Sequence, residues 1–373
     1  MRRLATLLAA LAVAAVVAGC GATASPPAPP RPAAQQFLDR YVDGDGRVVR
    51  RDQGGDTVSE GQAYAMLLAA ASGDERRFDR VWRWTRAHLQ RGDGLLAWHW
   101  RDGRVVDRQP AADADLDAAR ALQTAARRFG RPALRRAAQR MAAAILRRET
   151  AGGRLVAGPW ARRERVLNPS YWSPVAARAL ARLGHARQWE RLRRRDIAAA
   201  RTLVDGGRRL PPDWARAGPA AAAGAASARA GSAAAGSARA ASAPAASVRA
   251  TGPPGDPAAG GRATYGFDAV RLPVRFAESR DPAARRVAAS LWPRLRGGDP
   301  AILPRELDGR GAPGATRTAV ALVGAAAAAH AAGDTAAHDR LLVQAEALDR
   351  EHPTYFGAAW VALGRTLLAR RCT

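Results

Sequence analysis

Two kinds of predicted helix alternate along the chain from about residue 31. The odd-numbered helices are amphipathic and rich in arginine, as in ERRFDRVWRWTRAHLQ at 75–90, where Phe78, Val81 and Trp82 lie near one face. The even-numbered helices are apolar on nearly all sides, as in TAVALVGAAAAAHAAG at 318–333, and strand signals are nearly absent. The predicted helices cover 31–43, 59–72, 75–90, 113–130, 131–150, 170–184, 186–206, 266–276, 281–297, 312–333, 335–351 and 354–371.

This alternation predicts the fold class. A helix wetted on one side packs outside a helix buried on all sides, and short links make sequential helices antiparallel neighbours. Six outer and six inner helices then close into an all-α (α/α)6 toroid. An open helical solenoid is the alternative, but the sequence contains no motif repeated at a fixed period.

One low-complexity segment interrupts the alternation, at about 217–262. It consists almost entirely of Ala, Gly, Ser, Pro and Arg, so it cannot bury enough apolar surface to offset its ordering entropy. We expect a disordered insert within a single domain spanning 33–373. A linker between two domains is the alternative interpretation.

The N-terminal residues predict export. A basic start is followed by a short apolar run that ends at Cys20, and such a run is typical of a signal peptide rather than a bilayer span. The segment Val17-Ala18-Gly19-Cys20 resembles a bacterial lipobox, so we expect residues 1–20 to be a signal peptide and Cys20 to be lipidated. Residues 21–32 are a Pro-rich tether. We expect a cell-surface lipoprotein whose membrane contact is this lipid; cleavage and secretion are the alternative.

The charge of the chain does not predict a nucleic-acid partner. The formal net charge is +26, but lysine is absent and all 59 basic residues are arginine, which is typical of codon bias in a G+C-rich genome. Six scattered histidines show no Cys/His spacing, so no metal site is predicted. Without a Walker-type lysine, the sequence predicts no nucleotide cofactor either, and we expect none of any kind.

Polar and aromatic residues gather at the starts of the predicted inner helices, which a toroid would bring to one end. The second helix begins with Ser59-Glu60, the fourth with Asp113, the sixth after Asn168 and the eighth at Asp268-Ala269-Val270-Arg271. Carboxylates and amides between aromatic faces suit a sugar chain. The candidate sugar platforms are Trp98, Trp100, Tyr171, Trp172, Trp214 and Tyr265.

Each of these residues also has a purely structural interpretation. Ser59 and Gln62 fit a capping box, which would leave Glu60 as an ordinary first-turn acid. Asp113 fits an N-cap and Asn168 a turn. Asp268 with Arg271 fits a structural ion pair, and the tryptophans fit a buried core.

Taken together, these strings resemble family 8 of the glycoside hydrolases from about Phe37 to Leu368. The order and spacing of the motifs carry the resemblance, and the nearest likeness is to the cellulases that accompany bacterial cellulose synthases. The motifs are SEGQAYAM at 59–66, WRWT at 82–85, AWHW at 97–100, DADLD at 113–117, NPSY at 168–171, PDW at 212–214 and YGFDAVR at 265–271.

The resemblance implies an (α/α)6 toroid and an inverting, endo-acting hydrolase of β-1,4-glucan. It assigns Glu60 as the proton donor, Asp268 as the catalytic base and Asp113 as the acid that contacts the distorted sugar at the cleavage point. We also expect Asn168 and Arg271 to bind substrate. The resemblance further suggests a cellulose synthase complex as a partner.

Two alternatives to this function remain open at the level of sequence. The same fold and mechanism could act on chitosan, mixed-linkage glucan or xylan, although a +26 protein would repel cationic chitosan. The chain could also be a catalytically weak glycan-binding lipoprotein that uses the same cleft.

Overall fold

The computed structural model describes residues 32–218, 247–251 and 262–369. The predicted signal peptide, Cys20 and all but the last residue of the tether lie outside these ranges, and so does most of the predicted insert. Within the described residues the chain forms thirteen α-helices. They are α1 (Ala33–Tyr41), α2 (Ser59–Ser72), α3 (Glu75–His88), α4 (Ala112–Arg128), α5 (Pro132–Arg148), α6 (Pro174–Ala181), α7 (Ala186–Val204), α8 (Arg271–Ala277), α9 (Pro282–Ser290), α10 (Trp292–Leu295), α11 (Ala319–Ala332), α12 (Thr335–Glu351) and α13 (Tyr355–Leu367).

Six of these helices form a closed inner ring. In ring order, α2, α4, α6, α8, α11 and α13 each pack on the next, and α13 packs back on α2. Each outer helix packs on an inner one, in the pairs α3–α2, α5–α4, α7–α6, α9–α8, α12–α11 and α1–α13. The predicted (α/α)6 toroid is therefore confirmed. The predicted helix at 281–297 divides into α9 and α10 just before Pro293, which has no N–H to donate.

Burial follows the predicted alternation. Every residue of the inner helix α11 from Ala319 to Ala329 is buried, because this helix touches other helices on all sides. The outer helix α3 buries a single stripe that includes Phe78, Val81 and Trp82 and leaves its arginines outside.

In the described residues, eleven short strands occupy the links between helices, and the sequence pattern predicted almost none of them. The strands are β1 (Thr57–Val58), β2 (His99–Arg101), β3 (Arg104–Asp107), β4 (Thr150–Ala151), β5 (Arg154–Leu155), β6 (Val166–Leu167), β7 (Trp214–Ala217), β8 (Val248–Thr251), β9 (Thr264–Tyr265), β10 (Ile302–Glu306) and β11 (Gly311–Arg317). They form four antiparallel sheets in the orders β1-β2-β3, β4-β5, β6-β7-β8 and β11-β10-β9. Most strands span two to four residues, which is too short for a period-two pattern to show.

Part of the low-complexity insert is ordered, which corrects the expected bounds of disorder. Strand β8 pairs antiparallel with β7, with Ala217 opposite Val248, and Val248 is buried. Backbone hydrogen bonds to β7 hold this strand in place of the apolar side chains that its sequence lacks. Residues 219–246 and 252–261 lie outside the described ranges. The helices on both sides of the insert belong to one compact unit that begins at Pro32.

Three ion pairs in constant register link α4 to α8. Asp113 pairs with Arg271, Asp117 with Arg275, and Arg120 with Glu278, and each pair is separated by 158 positions. Residue numbers therefore rise together on the two helices, so α4 and α8 run in the same direction. The N-terminal ends of these inner helices consequently lie at one end of the ring, where the sequence predicted the site.

Candidate active site

A single buried guanidinium gathers the three carboxylates that the sequence singled out. Arg271 is 1% exposed, and its Nη1 donates to Glu60 Oε2 and to Asp113 Oδ2, both at 2.9 Å. Its Nη2 donates to Asp268 Oδ1. The hydroxyl of Tyr64 accepts a further hydrogen bond from Nη1 at 3.2 Å. The first turns of α2 and α4 and the turn before α8 thus meet at one point.

The three carboxylates differ in their access to solvent. The side chains of Glu60 and Asp268 are 24% and 30% exposed, whereas Asp113 is 1% exposed and lies beneath them. Because Glu60 and Asp268 bond to the two terminal nitrogens of one planar guanidinium, the bonded oxygens lie at most about 8 Å apart. Two accessible carboxyl groups therefore face one small volume above a buried arginine and a buried acid.

The electrostatics of the site keep a proton within reach near neutral pH. Burial raises the pKa of Asp113 to about 7; the Arg271 guanidinium opposes this rise and the Glu60 carboxylate adds to it. Burial also raises the pKa of Asp268, against the opposing effect of Arg271, while the charge of Asp113 raises it further. Arg271 thus limits how far burial can suppress the charge on either aspartate.

Glu60 lies in the first turn of α2, but the predicted capping box is wrong. The residue before the helix is Val58, in extended conformation, and no side chain caps the first turn. Gln62 instead accepts from the backbone N–H of Val48 at 2.6 Å and donates to Thr85 Oγ1 at 2.8 Å. The buried Gln62 amide therefore fixes α2 against α3 and the preceding loop.

A tyrosine hydroxyl from α13 closes over the backbone next to Glu60. A Cβ added at Gly61 would lie 2.4 Å from the hydroxyl oxygen of Tyr355, so only glycine fits there. Tyr355 is buried, and the Glu60 carboxylate contributes to raising the pKa of its phenol well above the ordinary value, after burial itself. The start of α13 therefore forms one wall beside the acid.

The structural alternatives for Asp113 and Asn168 have opposite outcomes. The residue that precedes α4 is Ala111, so Asp113 is not the N-cap, and its carboxylate points to Arg271. Asn168 does form the predicted turn, because its Oδ1 accepts from the N–H of Ser170 at 3.1 Å and from the Ser170 hydroxyl at 2.7 Å. Its side chain also faces the Asp268 carboxyl and lowers the pKa of that group, so Asn168 belongs to the site.

Two predicted sugar platforms lie in the core, which is a correction to the sequence analysis. Trp172 is 1% exposed and its Nε1 donates to the carbonyl of Leu155 at 3.3 Å. Tyr265 is also 1% exposed. Neither ring can stack on a sugar, because protein atoms already cover it. Tyr171, next to Trp172, does face the site, since the guanidinium of Arg271 lies 5.3 Å from the centre of its ring.

The alternating tryptophans Trp98 and Trp100 have different neighbours. Trp100 packs edge-on against Trp84 at 5.4 Å between ring centres, and the Arg47 guanidinium lies 4.6 Å from its ring centre. Trp100 is nonetheless partly exposed, so it stays a candidate sugar platform. Trp98 is partly exposed and packs against the ring of His99 at 4.7 Å. Trp98 stays a candidate platform.

Two exposed aromatic residues were not predicted from the sequence. Phe267 is 49% exposed beside Asp268, with its ring 6.2 Å from that of Phe356. Trp160 is 43% exposed and lies 6.5 Å from the partly exposed Trp214, which places the predicted platform Trp214 in an aromatic pair. Phe267 directly precedes Asp268 in the YGFDAVR motif, and this position was the available signal. Its exposure could not be inferred from the residue type.

The described residues offer neither a metal-binding cluster nor a membrane span. Among residues 32–218, 247–251 and 262–369, no group of three or more His, Cys, Asp or Glu side chains is arranged to hold a metal ion. No helix in the same ranges is long and apolar enough to cross a bilayer.

Comparison with known proteins identifies the class that this fold and site define. The family model for glycosyl hydrolases family 8 matches residues 2–242, and the chain belongs to that family. The matched segment includes Glu60 and Asp113 and ends before Asp268 and Arg271, whose place in the site is given by the geometry above.

Named relatives are endoglucanases. The chain is 35% identical over 227 residues to a probable endoglucanase of Novacetimonas hansenii, which covers 56% of this chain and 65% of that protein. It spans between about half and two thirds of the length of the curated relatives that it matches.

Solved structures with the same fold cover most of the chain. The endo-β-1,4-glucanase CMCax from Acetobacter xylinum is similar with a TM-score of 0.67 and 25% identity, over 90% of this chain and 97% of that one. A β-1,3-1,4-glucanase from Paenibacillus sp. X4 has a TM-score of 0.73 at 16% identity, over 90% of each chain, and shares the fold.

Proposed function

We propose that the protein is an endo-acting, inverting hydrolase of β-1,4-glucan, with Glu60 as general acid and Asp268 as general base. The observation that carries this proposal is the pair of exposed carboxyl groups held on either side of the buried Arg271. Inverting enzymes need two carboxyl groups roughly 6.5–9.5 Å apart, with room for a water molecule between the base and the sugar. The upper bound of about 8 Å between the bonded oxygens is compatible with that spacing.

The proposed reaction moves two protons. Glu60 gives its proton to the glycosidic oxygen as the bond to the anomeric carbon breaks. Asp268 takes a proton from a water molecule, whose oxygen attacks the anomeric carbon from the opposite face of the ring. Arg271 supports the base role, because its guanidinium favours the ionised form of Asp268. Asp113, beneath both, is placed to accept a hydrogen bond from the sugar at the cleavage point.

Names of relatives support the substrate class. The similar proteins are called endoglucanases, and the similar structure from Acetobacter xylinum is an endo-β-1,4-glucanase. Partly exposed aromatic rings lie near the acids, at Trp98, Tyr171 and Phe267, and such rings suit the C–H faces of glucose units. A cellulose synthase complex stays a predicted partner, which co-purification would test.

The first experiment measures products and their stereochemistry. The protein is incubated with carboxymethylcellulose, mixed-linkage glucan, xylan and chitosan, and the first anomer released is followed by NMR. We expect β-1,4-glucan to be cleaved internally with the α-anomer formed first. A β-anomer would contradict the inverting mechanism, and cleavage of xylan or chitosan alone would contradict the substrate.

Two variants test the catalytic roles. We expect Glu60→Gln and Asp268→Asn each to reduce hydrolysis to below about a tenth of wild type while glucan binding survives. Matched controls are Glu346→Gln, on the outer helix α12, and Asp74→Asn, at the start of α3, which should leave hydrolysis unchanged. Retention of more than about a tenth of the activity in a site variant would remove that residue from its role.

Export and lipidation belong to the same proposal. The basic start, the apolar run and the lipobox-like segment before Cys20 support attachment to a membrane through a lipid on that cysteine. Mass spectrometry of the mature N-terminus tests this directly. A wild-type mature protein whose N-terminal residue is an unmodified one other than Cys20 would show simple secretion instead.

A further inference from the structure

An aspartate outside the predicted site holds the turn that carries Asp268. One oxygen of Asp213, Oδ1, accepts three backbone N–H groups, from Gly266 at 3.0 Å, Asp268 at 3.1 Å and Ala269 at 2.7 Å. The other oxygen accepts the hydroxyl of Thr264 at 3.3 Å. A single carboxylate therefore satisfies most of the donors of this turn, much as an N-cap satisfies the first turn of a helix.

The same turn leads directly into α8 and so orients two residues of the site. The N–H of Val270 donates to the carbonyl of Gly266 at 3.1 Å, and the N–H of Arg271 donates to the carbonyl of Asp268 at 3.1 Å. The backbone between 266 and 271 is thus a continuous set of hydrogen bonds that begins at Asp213. Any shift of this turn would move Asp268 and Arg271 together.

Space has been left for the Asp213 carboxylate at the start of the turn. A Cβ added at Gly266 would lie 2.2 Å from Asp213 Oδ2 and 3.1 Å from its Cγ. No side chain can therefore stand at 266 while Asp213 keeps its position. The glycine of the YGFDAVR motif has a steric reason in this structure, which is the approach of Asp213.

Asp213 and Asp268 also interact through their charges. Burial raises the pKa of Asp213 to about 6, the charge of Asp268 adds to the rise, and the hydrogen bonds from the turn oppose it. Because such coupling is reciprocal, a negative Asp213 makes ionisation of Asp268 less favourable. The phenol of Tyr265 also senses Asp213: burial raises its pKa above the ordinary value, Arg305 opposes the rise, and the charge of Asp213 adds to it.

The remaining charged and titratable neighbours of Asp268 come from four other places in the fold. Arg271 on α8 favours its ionised form, and Asp113 on α4 disfavours it. Tyr171, before α6, also faces the Asp268 charge, and Glu60 on α2 reaches it across the shared guanidinium. Asp213 adds a further negative group on the side of the turn.

We propose that Asp213 is the positioning residue for the catalytic base: its carboxylate fixes the 266–269 turn so that Asp268 and Arg271 point into the site. A charge part follows from the same contact, because a negative Asp213 makes ionisation of Asp268 less favourable, and this part rests on the proposed role of Asp268 as the base. The positioning part rests on the hydrogen bonds alone.

The experiment compares Asp213→Asn, Asp213→Ala and Gly266→Ala in the full chain with glucan as substrate. Asp213→Asn keeps an acceptor oxygen and removes the charge, so we expect the acidic limb of the pH profile of kcat/KM to move to lower pH. Asp213→Ala and Gly266→Ala remove or displace the acceptor, so we expect kcat to fall at least about tenfold with KM changed by less than about twofold. The matched control is Asp334→Asn, which removes the same charge at the start of α12, where Asp334 accepts the N–H of Ala337.

Amide hydrogen exchange supplies a readout that does not need activity. We expect the amides of Gly266, Asp268 and Ala269 to exchange at least about tenfold faster in Asp213→Ala, and Asp334→Asn to leave both these amides and the pH profile unchanged. An unmoved acidic limb in Asp213→Asn would overturn the charge part. Unchanged exchange, or more than half of wild-type kcat in Asp213→Ala, would overturn the positioning part. Wild-type protein that cleaves no glucan would refute the proposed function instead, and the exchange data would still decide the positioning of the turn.

Discussion

Arg271 holds the side chains of the site together through its hydrogen bonds. It is buried, yet it serves three carboxylates and a tyrosine hydroxyl, so loss of any one partner still leaves its charge compensated. Among basic side chains only arginine presents donors in a fixed fork that can do this. From the sequence, Arg271 could be interpreted as one half of an ion pair with Asp268. In the structure it is the common contact of residues at the starts of three inner helices.

The tryptophans near β2 give a prediction at this scale. We expect Trp98→Ala to weaken binding of long cello-oligosaccharides by about tenfold, because a partly exposed ring is removed, while binding of short ones changes little. Isothermal titration across chain lengths measures this. Trp100→Ala is the matched variant, since the same side chain is removed from beside Trp84, and it should lower the free energy of unfolding by about 2 kcal/mol or more. Equal loss for all oligosaccharide lengths in Trp98→Ala would show core damage instead of a lost platform.

Residue types and motif order sufficed to predict Glu60, Asp113, Asp268, Arg271 and Tyr171 as site residues, and the geometry brings these five together. The direction in which a side chain points was not predictable for neighbours such as Trp172, since adjacent residues in an irregular segment face different ways. The role of Asp213 was not predictable either, because its partners are backbone N–H groups more than fifty positions away, and sequence carries no trace of them.

At the scale of elements, the ion pairs between α4 and α8 join in register two inner helices that α6 separates in the ring. The pair between Asp117 and Arg275 is bidentate, at 2.8 and 2.7 Å, with side chains 2% and 3% exposed. Arg275 also lies 5.7 Å from the ring centre of Trp360 on α13. Because both charges are desolvated, each depends on the other for compensation.

Removing one member of this pair should destabilise the protein strongly. We expect Asp117→Asn to lower the free energy of unfolding by about 3–5 kcal/mol, because it leaves the Arg275 charge buried without its partner. The control is Asp79→Asn, in an accessible pair with Arg131, which should cost less than about 1 kcal/mol. Chemical denaturation measures both. Equal effects in the two variants would show that burial of the Asp117 pair has no energetic weight.

The hairpin of β7 and β8 gives a second prediction about elements. Gly218 donates its N–H to the carbonyl of Ser247 at 2.7 Å, so these two residues lie opposite each other where the described parts of the insert end. Replacing residues 219–246 by Asn-Gly, a two-residue hairpin turn, should therefore keep the melting temperature within about 2 °C and leave hydrolysis unchanged. Loss of activity with an unchanged melting temperature would instead assign a functional role to the removed segment.

The helices could be predicted from periodicity, because α3 and α11 differ so clearly in how their apolar residues are distributed. The strands could not. Their pairing is decided by links that bring β4 beside β5 or β7 beside β8. Residues such as Ala151 or Ala217 have no strand preference that a two- to four-residue window could show.

At the scale of the whole molecule, many carboxyl groups are buried. Burial raises the pKa of Asp113 to about 7 and that of Asp213 and Asp349 to about 6. Asp115 and Glu149 are buried and interact with each other, and burial raises the pKa of both carboxyl groups well above the ordinary range. The folded chain therefore binds more protons than the unfolded chain between the ordinary carboxyl pKa and these raised values.

The sign of the pH dependence follows from that difference. Each raised pKa contributes stability that is complete below the ordinary carboxyl pKa and is lost as the pH rises through the folded value, here through about 6 and 7 for Asp213 and Asp113. We expect the melting temperature to be lower at pH 8 than at pH 5 by about 5 °C or more. Calorimetry at constant ionic strength measures it, with Glu149→Gln expected to flatten the dependence. A melting temperature that rises from pH 5 to pH 8 would contradict this assignment.

The ladder of arginines and acids between α4 and α8 has a consequence for how a polymer could approach. Arg271 and Arg275, with Asp113 and Asp117, occupy positions inside the ring and are almost fully buried. A polymer chain therefore cannot pass through the ring from one mouth to the other. A glucan that binds as proposed would lie across a single mouth of the ring with both tails free, so an enzyme that cuts it there would have no need to find a chain end first.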